Sequence, residues 1–147
     1  MRPKKIVLCV DEDEFVMDQL CFLLETKGFM VLRAKSGRDA LAVVAGLRVD
    51  VVLSELLMSG MDGNRLAILS KEIAPRLPIV LRSRASKAPK DGHYGDVFLP
   101  AGSKPVELLE RIRTFAARKR GPIGTRKSYS PITERFHEAM RKASLAC

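Results

Sequence analysis

Short apolar runs alternate with segments of helical periodicity along most of this 147-residue chain. The first run, Ile6 to Val10, is continuously apolar, as in strands that are buried on both faces of a parallel sheet. Four later runs also predict strands, at 29–34, 49–54, 79–81 and 97–99. Strands that alternate with helices predict an α/β fold with a doubly wound, five-stranded parallel sheet, whose functional groups collect at the carboxyl ends of the strands.

Single residues predict where the helices between these strands begin and end. Gly28 is a C-terminal stop for the first helix. Ser36 with Asp39 resembles a capping box that opens the second helix. Pro75 ends the third helix, and Pro105 suits the first position of the last. The apolar stripes comprise Phe15, Val16, Leu20, Leu23 and Leu24; Leu41, Val44 and Ala45; Leu66, Ile68, Leu69 and Ile73; and Leu108, Leu109, Ile112, Phe115 and Ala116.

Composition excludes several classes of protein. No apolar run approaches the roughly 20 residues that span a bilayer, and the first run ends at acidic residues, so it predicts a strand and not a signal peptide. Cys9, Cys21 and Cys147 lack metal-ligand spacing, and reduced thiols in a cytoplasmic protein are the preferred interpretation. The net charge of +9 lies mostly in residues 116–147, which hold eight Lys/Arg and two Asp/Glu.

Acidic residues follow two of the predicted strands. Asp11, Glu12 and Asp13 come directly after the first strand, and Glu55 follows the third. Carboxylates at the edge of a sheet suit a hard divalent cation such as Mg²⁺, which prefers oxygen ligands. The alternative is that the first three decorate a helix N-terminus, where the helix dipole favours negative charge.

Several sequence blocks, in order, resemble the receiver domain of bacterial response regulators. The blocks are 5–14, 50–63, 77–83, 96–99 and 107–113. The resemblance covers about residues 4–118. It implies a flavodoxin-like fold with strand order 2-1-3-4-5, and a signalling module of two-component phosphorelays that is not itself an enzyme.

In receiver domains an aspartate takes a phosphoryl group from a phosphohistidine on a partner kinase, while Mg²⁺ neutralises charge on the transferring group. The resemblance assigns these roles by position. Glu55 stands at the phosphoacceptor, Ser83 at the hydroxyl and Phe98 at the switch aromatic. Asp11 and Glu12 stand at the metal acids, and Leu57 would lend a metal-binding backbone carbonyl.

Two of these positions carry a longer side chain than the family's aspartate. Glu55 extends its carboxylate by roughly 1.5 Å, and a misplacement of about 1 Å can cost on the order of 100-fold in rate. Glu12 crowds the metal pocket in the same direction. Because Mg²⁺ demands near-ideal octahedral geometry, we expect it to bind weakly if at all.

The cations near the site also depart from the family pattern. Ala101 stands where the lysine belongs, and we interpret Lys104 as a helix-start residue in preference to a phosphate ligand. Arg82 places a charge in a strand, which is costly if unpaired. Arg84 either pairs with Glu55 or the Asp11/Glu12 pair, replacing the lysine or the metal ion, or points to water; both alternatives stay open.

The segment 84–95 should carry the family's fourth helix, yet it contains Pro89, Gly92 and Gly95 and almost no apolar residues. It predicts a loop or one distorted turn, so the fourth helix is short or missing. We interpret His93 in this segment as a solvated loop histidine.

Residues 119–130 predict a basic linker and residues 131–145 an amphipathic C-terminal helix. The apolar stripe of this helix comprises Ile132, Phe136, Ala139, Met140 and Ala143. One such helix cannot bury its face alone, so it should dock on its own receiver body or form a homodimer. The basic linker could contact nucleic acid electrostatically, but a complete DNA-binding motif is wanting, so a solvated linker is preferred.

These patterns predict a cytoplasmic, degenerate receiver that works as a phosphorylation-independent interaction or dimerisation module. Its partners would be a histidine kinase or an output protein, with no membrane partner. One alternative is a working phosphoacceptor that uses Glu55 or a nearby acid. Another is a nucleic-acid-associated regulator that acts through the tail.

Overall fold

The structure, a computed structural model, describes residues 3–84 and 92–118, which form one sheet with helices on both faces. The elements are β1 Ile6–Val10, α1 Glu14–Thr26, β2 Met30–Ala34, α2 Gly37–Gly46, β3 Val51–Glu55, α3 Gly63–Ile73, β4 Ile79–Arg82, β5 Val97–Leu99 and α4 Pro105–Ala116. The predicted strand–helix alternation is confirmed.

The five strands lie in the order β2-β1-β3-β4-β5, and every neighbouring pair is parallel. This is the predicted order of a doubly wound sheet. Val10 pairs with Ser54, so the residues that follow, Asp11 and Glu55, lie side by side at one edge of the sheet. In the next pair, Glu55 lies opposite Arg82. The register therefore brings the acidic residues together although about forty positions separate them.

Alternate residues of the strands feed two separate apolar layers. Val7, Cys9 and Leu53 pack with α1 and α4, while Leu8 and Val52 pack with α2 and α3. All five are at most 1% exposed. Burial of a side chain of this size contributes about 1.5–3 kcal/mol, so the two layers hold the edge of the sheet rigidly.

Side-chain caps begin the helices next to the site. Asp13 accepts hydrogen bonds from the backbone N–H groups of Phe15 (2.9 Å) and Val16 (3.3 Å) at the start of α1. The predicted cap of α2 is confirmed, because the Ser36 hydroxyl accepts from the Asp39 N–H at 3.1 Å. Satisfied N-terminal donors of this kind stabilise a helix by about 1 kcal/mol each.

Some predicted details differ. β2 begins at Met30 and β3 at Val51, one and two residues later than their apolar patterns indicated. Phe15 belongs to the predicted stripe of α1 but is 70% exposed. The buried face of α1 consists of Met17, Leu20, Cys21 and Leu24. That set keeps the i, i+3, i+4, i+7 spacing of a single helical face, which Phe15 does not share.

The predicted linker (119–130) and C-terminal helix (131–145) lie outside the described residues, as does most of the segment in which a short or missing fourth helix is expected. Residues 92–96, which the structure does describe, form no helix before β5. None of the helices in the described ranges is long and apolar enough to cross a membrane.

Candidate functional site at the carboxyl edge of the sheet

Glu55 is the last residue of β3, and it is only 2% exposed. Its Oε1 accepts a long hydrogen bond of 3.5 Å from the Leu57 N–H. Its Oε2 is buried without a hydrogen-bond partner among the described residues. A carboxylate that is buried with one weak bond is poorly solvated, which disfavours its charged form.

The pKa of Glu55 is raised above its usual value of 4.5, and burial is the main cause. The Leu57 N–H opposes that rise by stabilising the charged form, while the negative charge of Asp11 adds to it. The positive charges of Arg82 and Arg84 lower the pKa to a smaller extent. Burial thus outweighs the neighbouring positive charges in setting the direction of this shift.

Asp11 follows β1 and is also 2% exposed. Its Oδ1 accepts a 2.9 Å hydrogen bond from the Asp13 N–H, and its own N–H donates to the Ala34 carbonyl at 3.2 Å. Its Oδ2 is buried and finds no hydrogen-bond partner within residues 3–84 and 92–118. These two hydrogen bonds to the backbone hold Asp11 in place next to the end of β3.

Arg84 supplies the positive charge next to these acids. Its Nη2 lies 3.2 Å from Asp13 Oδ2, where it donates a hydrogen bond, and 3.6 Å from Asp11 Oδ1. Arg84 was expected either to pair with the nearby acids or to point to water. Pairing is confirmed, because Arg84 forms an ion pair with Asp11. In the described ranges Arg84 makes no ion pair with Glu55 or Glu12. The guanidinium bridges a buried and a half-exposed carboxylate at the mouth of the site.

Glu12 makes its hydrogen bond to a different loop. Its carboxylate accepts a hydrogen bond from the Ser59 N–H in the β3–α3 loop. That bond, with a smaller contribution from the Ser59 hydroxyl, lowers the pKa of Glu12. The structure therefore brings Asp11 and Glu55 together, while Glu12 ties the loop after β1 to the loop after β3.

The hydroxyl and aromatic positions lie on the far strands. Ser83 is 2% exposed, and its N–H donates to the Leu99 carbonyl at 3.2 Å. Phe98 is half-buried and lies opposite Leu81 in the sheet. Its ring centroid is 5.7 Å from that of His93. The interpretation of His93 as a solvated loop residue is thus wrong, because its ring packs on Phe98 and is partly buried.

Lys104 is the exposed N-cap residue of α4, with Pro105 directly after it. This confirms its interpretation as a helix-start residue. Its ammonium makes no ion pair with any residue that the structure describes. Ala101, at the expected lysine position, lies in a turn completed by Gly102 at φ +88°. Only glycine adopts this φ easily, and the turn accommodates the extra residues before α4.

The donor set does not fit a magnesium ion. Asp11 Oδ2 and Glu55 Oε2 are two oxygen donors of the right kind. However, Glu12 is committed to Ser59, and Arg84 already neutralises Asp11. Within the described ranges, no group of three or more His, Cys, Asp or Glu side chains could hold a metal. Leu57, the expected carbonyl donor, donates its N–H to Glu55.

Two functional contacts were missed by reasoning from the sequence. Asp13 was noted only as an acid after β1, yet it is the nearer partner of Arg84. Ser59 was not singled out, although it holds Glu12. The position of Asp13 directly before a helix indicates a cap. The Arg84 contact depends on the conformation of the loop after β4, which no local sequence pattern predicts.

The chain belongs to the response regulator receiver domain family, whose pattern matches residues 7–94. Members of this family are signalling modules of two-component systems that bind Mg²⁺ at the phosphorylation site. The match therefore confirms both the predicted family and the predicted fold.

Curated relatives include the transcriptional regulatory protein YvrH of Bacillus subtilis, 29% identical over 76% of this chain and 49% of the relative. Response regulator MprA of Mycolicibacterium vanbaalenii is 32% identical over 76% of this chain and 50% of the relative. The chain thus spans about half the length of these relatives.

Among solved structures, FixJ-N aligns with a TM-score of 0.72 at 22% identity, over 82% of this chain and all of FixJ-N. Response regulator TrrA of Thermotoga maritima, solved in complex with Mg²⁺-BeF, aligns with a TM-score of 0.71 at 22% identity, over 76% of this chain and 98% of TrrA. At these identities the likeness establishes the shared fold.

Proposed function

We propose that this receiver works without phosphorylation, as a protein-interaction module held in one conformation by its own side chains. The observation that carries the proposal is the Arg84 guanidinium on Asp11 and Asp13, beside the buried Glu55. In this arrangement an internal cation stands on the acids that would hold the metal ion in a working receiver. The state of the domain then no longer depends on a kinase.

The charges at the edge support this proposal. Asp11 is buried, and a buried carboxylate is costly without a counter-charge. Arg84 provides one at 3.6 Å and is anchored a second time by Asp13. A metal ion that approached Asp11 would have to displace this arginine. The pair therefore competes with the family's metal-dependent chemistry.

The geometry of Glu55 supports the same conclusion. Its carboxylate folds back onto the Leu57 N–H, and burial raises its pKa. The side chain is longer than aspartate by roughly 1.5 Å. An in-line nucleophile must be well placed, and the longer side chain displaces the Glu55 carboxylate from the position of the family's aspartate.

The test is the intact mass of the full chain after incubation with acetyl phosphate and Mg²⁺. We expect no phosphoryl gain in the wild type, and none or little in Glu55→Asp. We expect a clear gain in the double variant Glu55→Asp/Arg84→Ala, because it restores the acceptor and removes the internal cation. Glu55→Asp/Arg76→Ala is the matched control, since Arg76 is exposed and remote from the site.

Phosphoryl gain in the wild-type protein would overturn the proposal in favour of an active phosphoacceptor. Peptide mapping would then show whether Glu55 or a nearby acid carries the group. If Glu55→Asp gains as much as the double variant, the identity of the acceptor blocks the reaction and Arg84 does not contribute.

A second candidate is a nucleic-acid-associated regulator, which the name of the relative YvrH, a transcriptional regulatory protein, favours. The basic residues of 118–127 would carry the contact. Binding to duplex DNA that weakens steeply with salt and is lost when residues 118–147 are deleted would support it. Undiminished binding by the deleted protein would dismiss the tail as the contact.

As an interaction module, the protein would act in the cytoplasm on a histidine kinase or on an output protein. A homodimer through residues 131–145 is the other assembly that the tail pattern favours. Sedimentation of the full chain beside a Phe136→Glu variant tests it: a dimer lost in the variant supports this assembly, and a monomeric wild type opposes it.

A further inference from the structure

A groove lies between α1 and the turn that joins β5 to α4, on the face of the sheet opposite α2 and α3. Its volume is about 440 Å³, within the range of small-molecule sites. Its walls are mainly apolar. They comprise Gln19, Leu20, Phe22 and Leu23 of α1, Leu99 to Ser103 of the turn, and Pro105 and Leu108 of α4.

Arg82 is the only charged side chain among the described residues that line the groove. It ends β4, between Glu55 of β3 and Leu99 of β5 in the sheet register. Its Nη1 is buried and has no hydrogen-bond partner in the part of the chain that the structure describes. A buried charged donor without a partner is destabilising. Arg82 therefore lines an apolar groove while one of its guanidinium nitrogens lacks a hydrogen-bond partner among the described residues.

We propose that this groove binds a small amphiphilic monocarboxylate, with the carboxylate on Arg82 and the apolar chain on the leucines of α1 and α4. A guanidinium offers a fork of donors that matches a carboxylate. A single arginine neutralises one negative charge, so a monoanion fits better than a phosphate dianion. Leu20, Leu23 and Leu108 supply the apolar surface for a chain of several carbons.

Such a ligand would influence the site at the sheet edge. Arg82 lies opposite Glu55 in the pairing of β3 with β4. A carboxylate bound to Arg82 would therefore place a negative charge close to the end of β3. The groove would then couple the receiver to a metabolite without a phosphoryl group.

The test is NMR titration of the full chain with octanoate, with octanamide and acetate as matched controls. We expect saturable shifts of methyl groups in Leu20, Leu23, Leu99 and Leu108, with a Kd of about 1 mM or tighter. Octanamide lacks the charge and acetate lacks the chain. Each should therefore bind at least about 10-fold more weakly.

Variants assign the site. Arg82→Gln should weaken octanoate binding about 10-fold or more, whereas Arg111→Gln, an equal charge change outside the groove, should leave it unchanged. Gln19→Trp keeps Arg82 and fills the groove from the exposed face of α1, and it should also block binding.

Absence of binding at about 10 mM octanoate, ten times the expected Kd, or shifts that map away from the groove, would overturn the proposal. So would equal binding of octanamide, or binding that survives both Arg82→Gln and Gln19→Trp. Because Gln19 is exposed, its variant still tests the site if Arg82→Gln fails to fold.

Discussion

The two halves of the sheet edge differ sharply. At the ends of β1 and β3, acidic residues stand where the family places them, and Asp13 and Asp62 cap the helices that follow. At the ends of β4 and β5 an arginine follows Ser83, and the turn before α4 has Ala101 at the expected lysine position. The half at β1 and β3, which would bind a metal, keeps most of the family's acidic residues and is the retained half. The half at β4 and β5, which would bind a phosphoryl group, differs from the family pattern and is the rebuilt half.

The contrast shows how a receiver can keep its fold while the charged residues at the edge of its sheet change. The apolar layers do not depend on the identity of the residues at the loop ends, so packing of the core places little constraint on Arg84 or Ala101. The acids that remain need a counter-charge, however. Arg84 from the rebuilt half supplies it to Asp11 in the retained half. An ion pair thus joins the two halves.

The largest expected effect tests how tightly the retained half is packed. A Cβ on Gly63 would lie 2.6 Å from the Glu55 carbonyl oxygen and 2.9 Å from Leu56 Cα, both backbone atoms. Gly63→Ala should therefore cost about 1–3 kcal/mol of stability, measured by urea unfolding. Gly46→Ala is the control, since a Cβ there meets nothing within 4 Å. Equal stability of the two variants would contradict this packing.

The second prediction concerns the charge of Glu55. Because its folded pKa is raised above 4.5, the folded state holds the proton more tightly than the unfolded state. Stability is then lost as pH rises from about 4.5 through the raised pKa. Glu55→Gln should remove this decrease in the free energy of unfolding, which amounts to about 1.4 kcal/mol for each unit by which the pKa is raised. Parallel stability curves for wild type and variant between about pH 4 and pH 7.5 would refute it.

The ion pair that joins the two halves should show a smaller energy. Arg84's side chain is 60% exposed, so solvent screens its pair with Asp11. A double-mutant cycle of Arg84→Ala and Asp11→Asn should give a coupling of about 0.5–1 kcal/mol, decreasing with added salt. A coupling energy of zero at low salt would show that this ion pair does not link the two halves, and it would argue against the proposed role of Arg84.

The smallest effect is expected in the rebuilt half. Lys104→Ala should change stability by less than about 0.5 kcal/mol, because its ammonium has no ion-pair partner in the described ranges. Lys71→Ala is the matched control. Lys71 binds Asp96 at 2.9 Å and the Leu77 carbonyl at 3.3 Å, so its loss should cost about 1 kcal/mol. A larger loss for Lys104 would indicate a contact beyond helix capping.

The order of strands and helices could be predicted from the sequence because it depends on local patterns. Continuous apolar runs mark strands that are buried on both faces, and Ser36 caps its helix through a residue three positions away. Even the meeting of Asp11 and Glu55 follows from the rule that parallel strands end at a common edge. The prediction that Phe15 belongs to the buried stripe of α1 was wrong, because its apolar character does not indicate which face of α1 the sheet covers.

The sequence by itself determined the family, the fold and the set of charged residues at the edge of the sheet. Only the tertiary structure decided which charges meet. Glu12 binds a residue 47 positions away and Arg84 one 71 positions away, and both contacts depend on loop conformations. Local pattern specifies strands and caps because their partners lie within a few residues. Contacts between distant loops are decided by the folded structure. Folding buries Asp11 and Glu55, and buried carboxylates make a counter-charge necessary.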